Sequence, residues 1–482
     1  MMMRWLAGIL LCLAAPLTAQ TTAVATPVNE QAIDSFVAQV ILERNLSGLQ
    51  IGMLREGEMV FARGFGDAVR TGPVPVDTTI RFAIGSVSKQ FTVAIVLQLA
   101  AQGKLSPTDP VSKYFKGLTR GNDITLLDLM NHVSGYPDYY PLDYLDRRML
   151  KAIATDRLIR DYAGRPLDFE PGTRYSYSNT GFVMLGRVAE LVTGTPFGRL
   201  LQDRIFTPFD MPHSVIDPKA TGPGFAQGYL SFALGPLQPA PHEGEGWIGA
   251  AGGIWSTAPD LLRWDRALMD GKVVDGEWLR LMTTPRVLAD TTETSYAAGL
   301  GIGRIGADTA WGHSGAVSGF AAQNIMVPAT RSALVVLSNT ENGVPAARLW
   351  RLAGLPFRSP PPPDSTIPKR REQAPPPVPR VKGPPAAQTA AALLGQMQAG
   401  KVDRSLLEKE FSWYLTDAKV RDAATRLAPL GAPTATKVLN TSERGGLEVT
   451  TTQFTFASAR KANALMYRAP DGKVHEYLII AP

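Results

Sequence analysis

The 482-residue chain has one cysteine, Cys12, and it falls inside an N-terminal apolar run. The segment MMMRWLAGILLCLAAPLTAQ has one arginine, an apolar stretch over Trp5–Leu17 and a small residue at Ala19. It reads as a secretory signal over residues 1–19, cleaved near Ala19–Gln20. A lipoprotein signal would need a small residue before the cysteine, and Leu11 is not small. The mature chain is then free of cysteine, which excludes disulfides, Cys-ligated zinc and a cysteine nucleophile. Periplasmic or secreted localisation is expected, with a core large enough to hold without staples.

Other absences narrow the chemistry further. No later run approaches the length of a membrane span. There is no Gly-x-Ser-x-Gly elbow, which disfavours an α/β-hydrolase. The five histidines are scattered and form no His-Glu-x-x-His, so a zinc enzyme is not expected. No glycine-rich phosphate loop precedes a helix, and neither cofactor nor metal is implied. The formal charge of +6 is concentrated in Pro356–Pro385, where six basic and two acidic residues give +4. Basicity confined to a linker leaves no binding face for nucleic acid.

What is present has a clear order. Gln31–Arg44 carries the apolar stripe of an amphipathic helix, and strand-like runs follow at Leu49–Leu54 and Met59–Gly64. Helices are expected at Ile124–His132, Arg147–Tyr162, Thr180–Thr193 and Thr257–Met269, the last with a capping signal, Thr257-x-x-Asp260. Strands return at Ser295–Gly303, Ala310–His313, Phe320–Val327 and Ala333–Asn339. Strands at both ends with helices between them predict an α+β fold. One antiparallel sheet, flanked by helices, would stand beside an all-helical subdomain. Residues 20–355 make this unit. A linker with 12 prolines follows over 356–386. Residues 387–482 read as a small α+β accessory domain with strands at Leu447–Phe456, Ala464–Arg468 and Val474–Ile480. It weakly resembles cystatin-like or nuclear-transport-factor-2-like modules.

The chemistry is concentrated around Ser86-Val87-Ser88-Lys89, which opens an apolar helical run, RFAIGSVSKQFTVAIVLQLA. Residues three apart share a helix face, so the Lys89 amine can reach the Ser86 hydroxyl. A serine is a weak nucleophile until a base takes its proton, and a partly desolvated amine can do so. The helix N-terminus adds N–H groups for a developing oxyanion. A second Ser-x-x-Lys, Ser458–Lys461, follows a strand-like run with no apolar helix behind it and reads as accidental.

Tyr177-Ser178-Asn179 lies where the Pro171-Gly172 turn gives way to an apolar helix. A tyrosine beside an ammonium has its phenolate favoured, so Tyr177 could take or relay the serine proton. Asn179 offers donor and acceptor to Lys89 and to a substrate amide. His313-Ser314-Gly315 lies between strand-like runs. There Gly315 would admit a substrate backbone, and the Ala316 N–H would be a second oxyanion donor. A similar triplet, His242-Glu243-Gly244, has no flanking strand and reads as loop.

Ser86-x-x-Lys89, Tyr177-x-Asn179 and His313-x-Gly315, in this order, resemble the serine β-lactamase and penicillin-binding-protein superfamily. The likeness is to its class C-like branch, which includes D,D-peptidases, D-aminopeptidases and esterases. LLDLMNHVSGYPDY, FEPGTRYSYSN and GGIWSTAPDLLRW are similar to that branch too, and the match covers about residues 30–345. The resemblance implies an acyl-enzyme on Ser86, with Lys89 and Tyr177 moving protons and Ser86 and Ala316 N–H groups holding the oxyanion. It implies substrate contacts for Asn179, His313, Ser314 and Gly315, wall positions for His132 and Ser134, and close-packing positions for Gly252 and Gly253. Glu170 is not carried over as a deacylating base. Many relatives have Lys-Thr-Gly where this chain has His-Ser-Gly, and a histidine is only partly protonated near neutral pH. Uncharged esters or D-Ala-type amides are therefore expected to be turned over better than penicillins. The alternatives are a penicillin sensor with little turnover and a β-lactamase proper. The partner is a small-molecule or peptide substrate, cell-wall-derived peptides included.

Overall fold

A computed structural model describes residues 27–216, 221–341, 343–356 and 377–481. The expected signal segment, and residues 357–376 of the expected linker, lie outside the described residues.

One antiparallel sheet organises the larger part of the chain. Its strands are β1 (Gly48–Arg55), β2 (Glu58–Val69), β3 (Val74–Pro75), β4 (Tyr296–Ala297), β5 (Leu300–Ile305), β6 (Asp308–Val317), β7 (Phe320–Val327) and β8 (Ser332–Ser338). The spatial order is β3-β2-β1-β8-β7-β6-β5-β4. Segments nearly 300 residues apart thus pair at the centre, with Leu49 opposite Ser338 and Leu54 opposite Ala333. The main helices are α1 (Glu30–Glu43), α2 (Ser88–Ala101), α3 (Thr155–Ala163), α4 (Asn179–Thr193), α5 (Ala258–Met269) and α6 (Ala346–Leu352).

The two-residue period of the strands sorts their side chains. Leu49, Ile51 and Met53, with Leu334 and Val336, pack against Ile33, Phe36 and Trp350 of α1 and α6. Leu54, Val335 and Leu337 join the opposite core, with Phe91 of α2 and Leu262 of α5. Helices therefore cover both faces, and β1 and β8 are buried along their whole length.

Helix α2 is buried almost all round, as its apolar composition requires. The Phe91 ring stacks on Trp264 with centroids 4.0 Å apart. A buried polar chain fixes its register. Trp264 Nε1 donates to Gln90 Oε1 (2.8 Å), Gln90 Nε2 donates to Asn324 Oδ1 (3.0 Å), and Asn324 Nδ2 donates to Asp265. Thr92 Oγ1 donates to the Ala250 carbonyl (2.6 Å), tying the helix to the segment that passes beneath its N-terminus.

Three local expectations are corrected, and one strand was not expected. The helix expected over Arg147–Tyr162 begins only at Thr155, because Asp146 captures the N–H groups of Arg148 and Met149 in a turn. The helix expected over Ile124–His132 is limited to Leu126–Met130, opened by a Thr125/Asp128 capping box. The strand expected over Ser295–Gly303 is split into β4 and β5 by Gly299, whose φ is +77°. A further strand, β9 (Pro433–Arg444), has mostly exposed side chains and carried no alternating signal.

That strand edges a second antiparallel sheet with β10 (Leu447–Phe456), β11 (Lys461–Arg468) and β12 (Val474–Ile480), in the order β9-β10-β11-β12. Helices α7 (Ala386–Gln398), α8 (Lys409–Tyr414) and α9 (Asp417–Leu427) cover it. Leu394, Phe411, Val420, Phe454 and Tyr477 form their shared core, which also takes in Tyr144 and Ala233 of the larger unit.

Candidate active site

Ser86 sits on a tight 3-10 turn, Gly85–Val87, which leads into α2 rather than being its first turn. The three-residue spacing still delivers Lys89, whose Nζ lies 2.9 Å from Ser86 Oγ. The same amine donates to Asn179 Oδ1 and to the Ala251 carbonyl, both at 2.7 Å. Lys89 is fully buried, with Nζ 4.8 Å from the Tyr177 ring centre and 5.3 Å from that of Phe182. Burial pulls its pKa down from 10.5 to about 7, with Asp138 opposing the shift and Arg444 adding to it. Once neutral, the amine has two N–H bonds, and two carbonyl oxygens accept them. Its lone pair is then left facing the Ser86 hydroxyl.

Asn179 is the first residue of α4 but does not cap it. Its backbone N–H and side-chain Nδ2 both donate to Asp138 Oδ1, at 3.0 and 3.1 Å. Asp138 belongs to the 137–146 loop and was not among the residues singled out from sequence. An aspartate in an aperiodic loop carries no local signal of what it will face.

Tyr177 Oη donates to Ser86 Oγ at 2.7 Å. Burial pushes its phenol well above 10, so the expectation of a favoured phenolate is corrected. The penalty on a buried anion outweighs a lysine that is itself losing its charge. Of the two, Lys89 is the group able to accept a proton, while Tyr177 donates a hydrogen bond to Ser86. The His132 ring lies tilted against the Tyr177 ring with centroids 4.3 Å apart, and its Nδ1 accepts the Ser178 N–H at 3.1 Å. It braces Tyr177 from behind. Ser134 accepts the Tyr136 N–H within its own turn.

The third segment is the end of β6. Pairing with β5 stops at Gly301–Gly312, so His313–Val317 extend past the neighbouring strand with one edge free. The Ser86 turn lies against this stretch. A Cβ on Gly315 would stand 2.0 Å from the Ile84 carbonyl oxygen and 3.1 Å from Ser86 N. A Cβ on Gly85, where φ is +51°, would stand 2.7 Å from Ala316 N. The missing side chains thus let the Ser86 turn and the Gly315–Ala316 backbone pack in direct contact. Gly315 makes room for the Ser86 turn. Gly252 packs against Gly85 from below, where a Cβ would be in ordinary contact at 3.5 Å, while one on Gly253 would stand 2.8 Å from the Gly249 carbonyl oxygen.

His313 Nε2 accepts from Tyr296 Oη at 2.9 Å, and Nδ1 donates to the Ser314 carbonyl. Burial and the Lys89 charge push the imidazole pKa well down. Both causes favour the neutral ring over the partial protonation expected of His313. Ser86, Tyr177, His313, Ser314, Gly315 and Ala316 line one cavity of about 350 Å³. Lys89 and Asn179 stand behind its wall.

The remaining sequence candidates separate from this cavity. Ser458 and Lys461 lie at the exposed turn between β10 and β11. Glu170 is exposed and pairs with Arg120. Glu243, set aside as a loop residue, is tied to the site instead. Its Oε1 accepts from Tyr140 Oη (2.8 Å) and from the Ser318 N–H (3.2 Å), just past β6. Among the described residues no cluster of three or more His, Cys, Asp or Glu could hold a metal, and no helix is long and apolar enough to cross a membrane.

Comparison with known proteins gives the same neighbourhood. Residues 29–355 match the family model described as Beta-lactamase. The chain is 28% identical over 322 residues to a D-aminopeptidase of Brucella anthropi, covering 65% of this chain and 60% of that one. It thus spans less than two thirds of that relative's length. It is 25% identical to the crystal structure of a penicillin binding protein from Bacillus halodurans, with a TM-score of 0.57, covering 66% of this chain and 97% of the other. The octameric penicillin-binding protein homologue from Pyrococcus abyssi shares the fold over 94% of this chain and all of its own, with a TM-score of 0.60 and 21% identity.

Proposed function

Since the chain belongs to the beta-lactamase family of serine hydrolases, we propose that it works through an acyl-enzyme on Ser86. The observation that carries this reading is the arrangement at Lys89: two carbonyl oxygens accept its N–H bonds, and the third direction faces Ser86 Oγ at 2.9 Å. Ser86 Oγ attacks the substrate carbonyl carbon as its proton passes to Lys89 Nζ. The carbonyl electron pair moves onto oxygen, which the N–H groups of Ser86 and Ala316 receive. Collapse of that intermediate breaks the bond to the leaving group, which takes its proton back from Lys89 by way of Tyr177 Oη. Water then repeats the sequence on the acyl-enzyme, with the same two residues moving its proton.

The substrate favoured is an uncharged ester or a D-Ala-type amide rather than a penicillin. A neutral His313 leaves no permanent cation on the free edge of β6 to hold a substrate carboxylate. The D-aminopeptidase among the relatives supports the amide end of this range. The same reading has residues 1–19 removed on export and the enzyme acting on small-molecule or peptide substrates, including pieces of the cell wall. The test is a panel of nitrophenyl esters, D-amino-acid amides and benzylpenicillin. Esters and amides should be hydrolysed faster than penicillin, and Ser86→Ala should abolish turnover of all three. Penicillin as the best substrate would overturn the specificity. Undiminished hydrolysis by Ser86→Ala would overturn the mechanism.

A further inference from the structure

The two domains meet at the loop over residues 137–146, and this loop faces two ways. Its first half serves the active site. Asp138 orients Asn179, which holds Lys89. Tyr140 Oη donates to Glu243, which accepts the Ser318 N–H just past Ala316. Its second half is held by the C-terminal domain. Arg444, at the tip of the β9–β10 hairpin, donates through Nη1 to Asp143 Oδ1 (3.0 Å) and through Nη2 to the Tyr140 carbonyl (3.4 Å). Tyr467 Oη donates to Asp143 Oδ2 (2.7 Å), and the Asp143 N–H donates to Glu476 Oε2 (2.9 Å). Tyr144 enters the C-terminal core, with its ring centre 4.8 Å from that of Tyr414. Gly445, with φ +57°, lets the hairpin close on the loop, since a Cβ there would stand 2.8 Å from Pro141 Cβ.

We propose that the C-terminal hairpin is part of the catalytic machinery: Arg444 and Tyr467 are positioning residues that clamp Asp143 and so hold Asp138 and Tyr140 in register with Ser86. This rests on the functional reading above and deepens it, for it makes the accessory domain a brace on the loop behind the site rather than an independent appendage. Few residues separate the clamped carboxylate from the two that serve the catalytic groups, so movement of the loop tip is passed to Asn179 and to the Ser318 backbone. Placement errors of about an ångström at reacting groups cost up to about a hundredfold in rate.

The experiment uses full-length protein and a nitrophenyl ester, with the burst of acylation at Ser86 followed before steady state. Arg444→Ala and Asp143→Asn should each slow acylation about tenfold or more with KM changed less than about threefold. The double variant should be no slower than the worse single one, because both break the same clamp. Arg444→Lys should recover part of the rate. Tyr467→Phe, which removes one hydroxyl and leaves the core packed, should slow acylation about two- to fivefold. Arg426→Ala is the interface control. It loses hydrogen bonds to the Phe232 and Ala233 carbonyls on the same docking face, and should lower Tm while keeping the acylation rate. Wild-type acylation in Arg444→Ala and Tyr467→Phe, or an equal loss in Arg426→Ala, would overturn the proposal. Hydrolysis that survives Ser86→Ala would remove the functional reading, and this inference with it.

Discussion

Asp138 takes both the backbone N–H and the side-chain amide of Asn179 on one carboxylate oxygen, at 3.0 and 3.1 Å. That settles which way the amide faces. With Nδ2 committed to the carboxylate, Oδ1 must point at Lys89, where it stands 2.7 Å from Nζ. The carboxylate also favours the charged form of Lys89, against the burial that lowers it. One residue outside the three ordered motifs therefore fixes the amide that faces Lys89 and opposes the burial that lowers its proton affinity.

Replacing Asp138 by Asn should act on both. Without the carboxylate, Lys89 loses its proton more readily, and the acid limb of kcat/KM should move below its wild-type position near pH 7. Asn179 also loses its anchor, and kcat should fall about tenfold or more. A pH–rate profile on a nitrophenyl ester checks this. An unmoved limb with an unchanged rate would contradict the role assigned to Asp138.

Lys89 and Tyr177 should be unequal. A base that must be neutral to work makes kcat/KM rise with pH as Lys89 deprotonates near 7. Lys89→Met should remove that limb and about 10³- to 10⁴-fold of the rate, whereas Tyr177→Phe should cost about tenfold to a hundredfold and keep the limb. Burial holds the Tyr177 phenol protonated throughout the working range. If Tyr177→Phe erased the limb and Lys89→Met did not, the proton assignment would be reversed.

Gly315→Ala should disable the oxyanion site without unfolding the protein. The new Cβ would fall 2.0 Å from the Ile84 carbonyl oxygen, so the Ser86 turn must move away from β6. Loss of one aligned donor costs about 10²- to 10³-fold in kcat. Steady-state kinetics beside a thermal melt would separate the two effects. A melt that collapses in step with activity would mean the contact is only structural.

Phe91→Ala should be costly for stability. The ring is fully buried and stacked on Trp264, and emptying such a site costs about 3–5 kcal/mol. Urea unfolding monitored by tryptophan fluorescence is the measurement. A loss below about 1 kcal/mol would mean that α2 is not held by this contact.

The ordered motifs were legible because their chemistry is carried by residue type and short spacing. Ser86 and Lys89 meet through one helical turn, and Tyr177 and Asn179 flank a helix start that the Pro171-Gly172 turn announces. The central strands were legible from apolar runs, since β1 and β8 are buried on both faces. Strand β9 was not, because it is an exposed edge whose order comes from pairing with β10. The false helix at Arg147 failed for a local reason, the capture of two N–H groups by Asp146.

Sequence alone supplied the Ser86–Lys89 pair, the family likeness and the expectation of one antiparallel sheet with strands at both ends of the catalytic unit. Periodicity and spacing are local properties, readable within a few turns of chain. Only the tertiary structure decided the protonation states, because they depend on how much water the fold leaves around Lys89, Tyr177 and His313. It alone decided that Asp138, Glu243 and Arg444 belong to the site. Those three are brought there by contacts across 41 to more than 300 positions, and no local pattern encodes a distance of that kind.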